Sequence, residues 1–267
     1  MKIKCGDFNL QATLESGQVF GFEKENGAYR GVILGQPVRL RQNDGSIHFE
    51  SQKLSAATVR HYFDLDRDLA EIYSILDSEP CLAPFYRPLK GLRLIRQDSW
   101  EALACFILSS NNNVKRIMGI HKNLVSHFNG FPSAKQISKT HERILRQLGL
   151  GYRAPFLWAT AVFLSNNPGY LEAIRTAEYD QAKVRVTAFP GIGPKVADCV
   201  LLYGFHRLDA FPVDVWILRA MRRFYFRGRR VSEARVHAFG RKRWGALAGY
   251  VQQYLFHSAR TGVILKQ

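Results

Sequence analysis

Two side chains in this sequence have the types and spacing to do chemistry together: Lys195 and Asp214, nineteen positions apart. Lys195 follows Phe189-Pro190-Gly191-Ile192-Gly193-Pro194, and Asp214 closes Phe211-Pro212-Val213-Asp214 ahead of an amphipathic stretch with Leu218, Met221 and Phe224. A lysine in that place reads either as a phosphate contact or as an amine nucleophile. With an ordinary pKa near ~10.4, less than about 0.1% of free lysine is neutral at pH 7, so a nucleophile needs activation. Partial burial and a nearby helix N-terminus both disfavour the ammonium, and a lowered pKa is expected. Asp214 is a natural helix N-cap. Brought beside Lys195 by a short crossover, its carboxylate could also stabilise a developing positive charge and assist proton transfer. The lysine alone does not choose between its readings; the paired aspartate favours the catalytic one.

The elements that must position this pair are helical. One helix ends near Ala188, a tight turn carries two glycines, and a new helix opens at about Pro194, where proline's missing N–H costs nothing. Gly191 and Gly193 are expected to take positive φ and admit a phosphate to the backbone. The next helix then points its unpaired N–H groups, Val196 among them, and its positive dipole end at that phosphate. This hairpin spans about 181–204. Around it the chain reads as α+β: an antiparallel β-rich N-terminal domain over 1–90, then a mainly α-helical body over 91–267. Alternation predicts strands at 29–34, 37–41 and 47–50, with Asn43-Asp44-Gly45 as a turn. Helices are expected at 55–61 and 67–77, followed by a loop holding Pro80, Pro84, Pro88 and Gly91. Asp98-Ser99-Trp100-Glu101 resembles a capping box. Further helices are expected at 114–128, 133–137, 140–147, 153–165, 169–176, 180–187, 195–204, 213–225, 231–239 and 242–259.

The 267 residues are 46% hydrophobic, enough for a sizeable core, and 38 Lys+Arg against 22 Asp+Glu give +16. That balance favours a polyanionic partner, since each neutralised phosphate releases counterions. From Arg219 to Arg243 the chain carries ten Arg or Lys and one acid, Glu233, with aromatic neighbours; this face is expected to contact a nucleic-acid backbone. Cys5, Cys81, Cys105 and Cys199 lie far apart, which excludes a zinc or iron–sulfur site of usual spacing. No apolar run is long enough to span a bilayer and no signal peptide is visible. The expectation is an intracellular monomer, in the cytoplasm or nucleoid of a prokaryote or the nucleus of a eukaryote, with no membrane association and no metal.

The segments Pro190-Gly191-Ile192-Gly193, Lys195-Val196-Ala197-Asp198-Cys199 and Pro212-Val213-Asp214-Val215 resemble the helix-hairpin-helix DNA glycosylases, in particular the 8-oxoguanine branch. Ser16-Gly17-Gln18-Val19-Phe20, Gly91 to Asp98, Ser109-Ser110-Asn111-Asn112-Asn113, Gly149-Leu150-Gly151-Tyr152-Arg153 and Gln252 to Phe256 extend the likeness along nearly the whole chain. The resemblance implies that damaged duplex DNA is the partner and that the damaged nucleotide is flipped into a pocket. Lys195 would then attack C1′ and form a Schiff base that undergoes β-elimination, with Asp214 as the essential carboxylate. It implies that the Gly17 carbonyl meets the N7–H peculiar to oxidised guanine and that Phe256 and Cys199 sandwich the base. Gln252 would read the pairing edge, and Pro212 would help line the pocket. Asn111 would fill the vacated space, Arg116 and Arg153 would contact the opposite cytosine, Tyr152 would act as a wedge, and Gly191, Gly193 and Val196 would hold backbone phosphate. Trp216 stands where family members can carry a phosphate-binding histidine. No cofactor is expected beyond a monovalent cation at the hairpin carbonyls, which the superfamily allows. Competing readings are a related glycosylase for another damaged purine and a non-catalytic DNA-binding module.

Overall fold

The computed structural model describes residues 1–262, so the last five positions of the expected body lie outside the described residues. The fold is α+β, as expected. Strands β1 (Lys2–Lys4), β2 (Glu23–Glu25), β3 (Ala28–Ile33), β4 (Gln36–Asn43) and β5 (Ser46–Glu50) form one antiparallel sheet of order β1-β5-β4-β3-β2. Three consecutive hairpins close on two residues each, Asn26-Gly27, Leu34-Gly35 and Asp44-Gly45. All six residues have φ between +46° and +76°, the geometry whose twist matches paired strands. The inward side chains Ile33, Leu40, Ile47 and Phe49 build a small core with Val59 and Phe63.

Fifteen α-helices follow or interrupt the sheet among the described residues: α1 (Leu10–Leu14), α2 (Ala56–Tyr62), α3 (Ala70–Asp77), α4 (Ala83–Tyr86), α5 (Ser99–Leu108), α6 (Val114–Phe128), α7 (Ala134–Ser138), α8 (Glu142–Leu145), α9 (Ala154–Asn166), α10 (Tyr170–Thr176), α11 (Tyr179–Thr187), α12 (Pro194–Gly204), α13 (Val215–Phe224), α14 (Glu233–Trp244) and α15 (Ala248–Arg260). Their cores merge into one larger cluster, to which α3 and α4 contribute Ile72, Leu76 and Phe85.

Three expectations need correction. The proline-rich 80–91 stretch is not plain loop, because Pro84 and Pro88 sit in the first turns of α4 and of a 3-10 turn at Arg87–Leu89, where proline is tolerated. The last two helices divide at Gly245, with φ +52°, not near residue 240. Gly240 is interior to α14, where a Cβ would come within 2.6 Å of the Phe211 ring, so it is a close-packing glycine and not a stop. Strands β1 and β2 and helix α1 were not expected.

The two cores meet across the segment around Gly17. The Gln18 side chain donates to the Arg93 carbonyl (2.8 Å) and accepts from the Ile95 amide (2.9 Å). From the other side, Gln253 on α15 donates to the Ser16 carbonyl (3.1 Å). The segment is thereby tied to both units.

Candidate active site

Helix α12 begins without a side-chain cap. Gly193 is its N-cap residue, Pro194 has no N–H, and the first intrahelical bond runs from Ala197 N to the Gly193 carbonyl (2.9 Å). The Lys195 and Val196 amides therefore have no partner within the helix. The starts of α5, α6, α13 and α14 differ, since Asp98, Asn113, Asp214 and Ser232 each accept an N–H there. Of the two hairpin glycines only Gly191 has positive φ (+79°), and a Cβ on it would lie 2.4 Å from Phe156. Gly193 is extended, with φ −89°, and nothing lies near its missing Cβ, which corrects the expectation of positive φ at both. Its role is to leave room.

From this N-terminus Lys195, Cys199 and Tyr203 follow at i, i+4 and i+8 and form one stripe along α12. They open into a cavity of about 440 Å³ that is also lined by Gly17, Pro212, Asp214, Gln252 and Phe256. Every residue assigned from the sequence to catalysis or to the base pocket thus lies around a single cavity. Asp214 caps α13, accepting from the Ile217 amide at 2.9 Å, while its carboxylate faces Lys195 across the pocket. Gln252 is buried and donates to the Pro212 carbonyl (3.1 Å). Gly17 has φ +84°, and a Cβ there would come within 3.3 Å of the Phe256 ring, so any side chain would intrude on the cavity.

The electrostatics reverse one expectation. The pKa of Lys195 is raised, not lowered. The neighbouring Cys199 sulfur favours the ammonium most; burial opposes it, and the Asp214 charge and a hydrogen bond to Cys199 support it. Burial pushes the Cys199 thiol up to about 11, despite the lysine beside it. Burial also raises Asp214, against hydrogen bonds from the Ile217 and Trp216 amides and the Lys195 charge.

The residues assigned to the opposite strand form a second group at the loop before α6. Asn111 is exposed with φ +48°, and Arg116 is exposed in the first turn of α6. Tyr152 is 47% exposed and its hydroxyl donates to the Ser110 carbonyl (3.1 Å). Arg153 is 2% exposed and spends its guanidinium on the Ser110 and Asn111 carbonyls, at 2.8 Å each. In this structure Arg153 therefore holds the asparagine loop and offers nothing to solvent. Parts of the basic run are also spent internally: Arg241 and Arg243 pair with Asp209 and Glu79, and Arg222 donates to the Val231 carbonyl. Arg227, Arg229 and Arg230 instead rim a concavity floored by Phe226 and Phe239. Tyr203 and Trp216 also line the cavity that holds Lys195 and Asp214, where no role was assigned to them from the sequence. For Tyr203 the helical spacing after Lys195 and Cys199 was the available signal. No cluster of three or more His, Cys, Asp or Glu side chains could hold a metal among the described residues, and no helix there is long and apolar enough to cross a membrane.

An uncapped hairpin helix, a lysine in its first turn and an aspartate capping the next helix define the class. The chain belongs to the HhH-GPD superfamily of base excision DNA repair proteins, matched over residues 104–246, preceded by an 8-oxoguanine DNA glycosylase N-terminal domain over 1–103. It is 32% identical to a probable N-glycosylase/DNA lyase of Methanothermobacter thermautotrophicus, across 99% of this chain and 97% of that protein. It is 29% identical to the N-glycosylase/DNA lyase OGG1 of Arabidopsis thaliana, across 96% of this chain and 78% of that one. The Clostridium acetobutylicum 8-oxoguanine glycosylase/lyase, solved with duplex DNA bearing cytosine opposite 8-oxoG, superposes with a TM-score of 0.90 at 29% identity, covering 98% of each chain.

Proposed function

We propose that this protein is a bifunctional DNA glycosylase/lyase that excises 8-oxoguanine from duplex DNA. The observation that carries the reading is the shared cavity, in which Lys195 and Asp214 stand with Gly17, Cys199, Gln252 and Phe256. A space of about 440 Å³ between an aromatic ring and a thiol suits one flipped base. The Lys195 nitrogen adds to C1′ as the glycosidic bond breaks, and the base departs with that electron pair and takes up a proton. Asp214 stabilises the positive charge on the sugar. Ring opening gives the Schiff base, loss of a C2′ proton expels the 3′ phosphate, and hydrolysis frees the lysine. Because Lys195 is held as an ammonium in the free protein, it must lose a proton once the lesion is bound. The Gly17 carbonyl supports the choice of oxidised guanine, since unmodified guanine leaves it facing a lone pair and a buried unmatched polar group costs roughly 1–3 kcal/mol.

The unpaired amides at the start of α12 serve the DNA backbone. Arg116, exposed, is the first reader of the opposite base, while Arg153 must exchange its carbonyl partners before it can take part. No cofactor joins the chemistry in this reading, any monovalent cation at the hairpin serving only DNA binding, and one copy of the chain suffices. The test is borohydride trapping on duplexes carrying one 8-oxoguanine opposite each base, with undamaged guanine and Lys195→Gln as controls. An adduct confined to the lesion duplex and lost in the variant is expected. Absence of both adduct and base release overturns the proposal.

A further inference from the structure

The turn between α13 and α14 builds a second concavity, of about 560 Å³, whose rim and floor differ in chemistry. The rim is Arg227, Arg229, Arg230, Arg235 and Lys242, all exposed, with no acid among the lining side chains. Among the described residues none of these five meets a carboxylate, whereas Arg241 and Arg243 nearby are paired with Asp209 and Glu79. The floor is Phe226 and Phe239, half-buried rings set edge to face with centroids 5.2 Å apart. The turn itself is fixed. Arg227 takes φ +48°, uncommon for a residue with a side chain. The Gly228 amide bonds to the Arg222 carbonyl (2.8 Å), the Arg229 amide to the Phe226 carbonyl (2.9 Å), and the Arg222 side chain to the Val231 carbonyl (2.9 Å). A fixed turn that gathers uncompensated like charges carries a repulsion that a bound anion relieves.

The concavity is joined to the cavity that holds Lys195. Trp216 lines that cavity, and the Arg219 guanidinium lies over its ring at 5.6 Å. Arg219 and Arg223, four positions apart and both exposed, continue along the same side of α13 toward the turn that carries Arg227. Ten residues of helix separate the two hollows by about 15 Å, the span of about four stacked nucleotides. Duplex phosphates would satisfy the rim but leave the floor bare, because paired bases are stacked inside the duplex. An unpaired nucleotide satisfies both, with its base on the rings and its phosphates against the guanidiniums. We propose that this concavity is a second nucleic-acid site, selective for unpaired nucleotides of the strand leading away from the lesion. The identity of the polymer rests on the proposed glycosylase reading. A lesion a few nucleotides from a strand end or gap is then held at two linked points, and the second adds to the affinity of the first. An acidic peptide with an aromatic side chain has the same two chemistries, but the basic track from the cavity favours the nucleic acid.

The test measures binding by fluorescence anisotropy with Lys195→Gln in the full chain, so that no turnover occurs. A flush duplex carrying 8-oxoguanine opposite cytosine is compared with the same duplex bearing four unpaired dT residues. The tail begins about four base pairs from the lesion, on its 5′ or its 3′ side. One of the tailed duplexes is expected to bind at least fivefold tighter than its flush counterpart, and a tail of the same length without bases to gain less than twofold. Phe226→Leu keeps an apolar floor but removes the ring, and Arg229→Gln with Arg230→Gln removes rim charge. Each should cut the ratio of tailed to flush affinity below twofold, a ratio that cancels any loss of fold. No gain from either tail overturns the proposal, and so does an equal gain from the base-free tail, which leaves only backbone charge. A gain retained in either variant overturns it too, since the tail then binds elsewhere. An oligoglutamate peptide ending in phenylalanine that abolishes the gain at lower concentration than free dT8 would assign the concavity to an acidic protein segment instead. Equal affinity for flush lesion and undamaged duplexes, with no base release by the wild type, is a failure of the glycosylase reading and is visible without any tail.

Discussion

Helix α12 carries a lysine–aspartate pairing on each of two faces, and the two are put to opposite uses. On the face away from the cavity, Asp198 is 2% exposed and accepts from the Tyr179 hydroxyl and from Lys183 Nζ (2.9 Å), with His237 Nε2 3.3 Å from the same carboxylate. Both carboxylate oxygens there have a partner, and the cluster bolts α11 and α14 to α12. On the cavity face, Asp214 has backbone N–H bonds and a lysine across open space. The same two residue types thus make a saturated strut on one side and an unsaturated, desolvated pair on the other. Saturation marks structure, and the group left with spare valence beside a void is the one available for chemistry.

Lys195→Gln is expected to lower base release by at least about a thousandfold and to abolish the trapped adduct. Lys183→Met should lower Tm yet leave the adduct per folded molecule intact; an adduct surviving in Lys195→Gln would erase the distinction between the two lysines. The aspartates divide next. Asp214→Asn keeps a good N-cap, so stability should hold while base release falls by about 10²–10⁴ in single-turnover assays. Asp198→Asn leaves Lys183 uncompensated and should lose about 2–3 kcal/mol in urea denaturation. That is below the cost at a fully buried pair, because the Lys183 side chain is 20% exposed. Should Asp214→Asn unfold the protein instead, both carboxylates would be struts.

A pH profile sharpens the contrast further. The reaction needs the neutral amine and the site holds Lys195 above its ordinary pKa, so kcat/KM should rise with pH, up to tenfold per unit between about pH 6 and 8. A flat profile would mean that the bound lesion supplies its own base. The smallest effect belongs to the hairpin. Gly191→Ala should cost about 1–3 kcal/mol, because its φ is +79° and Phe156 crowds the site, whereas Gly193→Ala should leave Tm unchanged.

Much of this was readable from residue order. The Lys195–Asp214 pair, the hairpin between α11 and α12, and the passage from strands to helices beyond Glu50 all follow from spacing and turn chemistry. What escaped did so for physical reasons. Strand β2 is Glu23-Lys24-Glu25, exposed throughout, so it carries no apolar alternation and exists only because β3 supplies a partner. Helix α4 carries a proline in its first turn, which reads as a breaker unless that turn is already located. The direction of the Lys195 shift depended on Cys199 and Asp214 outweighing burial, a balance set by distance and not by sequence. Arg153 was identifiable as a residue of the opposite-strand loop, but its burial against the Ser110 and Asn111 carbonyls required three-dimensional contacts.

The clamp on Ser16-Gly17-Gln18 has one more consequence. The group proposed to recognise the lesion sits on a strap held by Arg93 and Ile95 at one end and by Gln253 at the other, while the nucleophile belongs wholly to the helical body. Recognition and reaction are therefore a coincidence circuit whose two inputs come from separately packed halves. If the strap loosens, the pocket loses a wall at the same moment as it loses its sensor, so a damaged molecule falls silent and does not become an indiscriminate cutter of undamaged DNA.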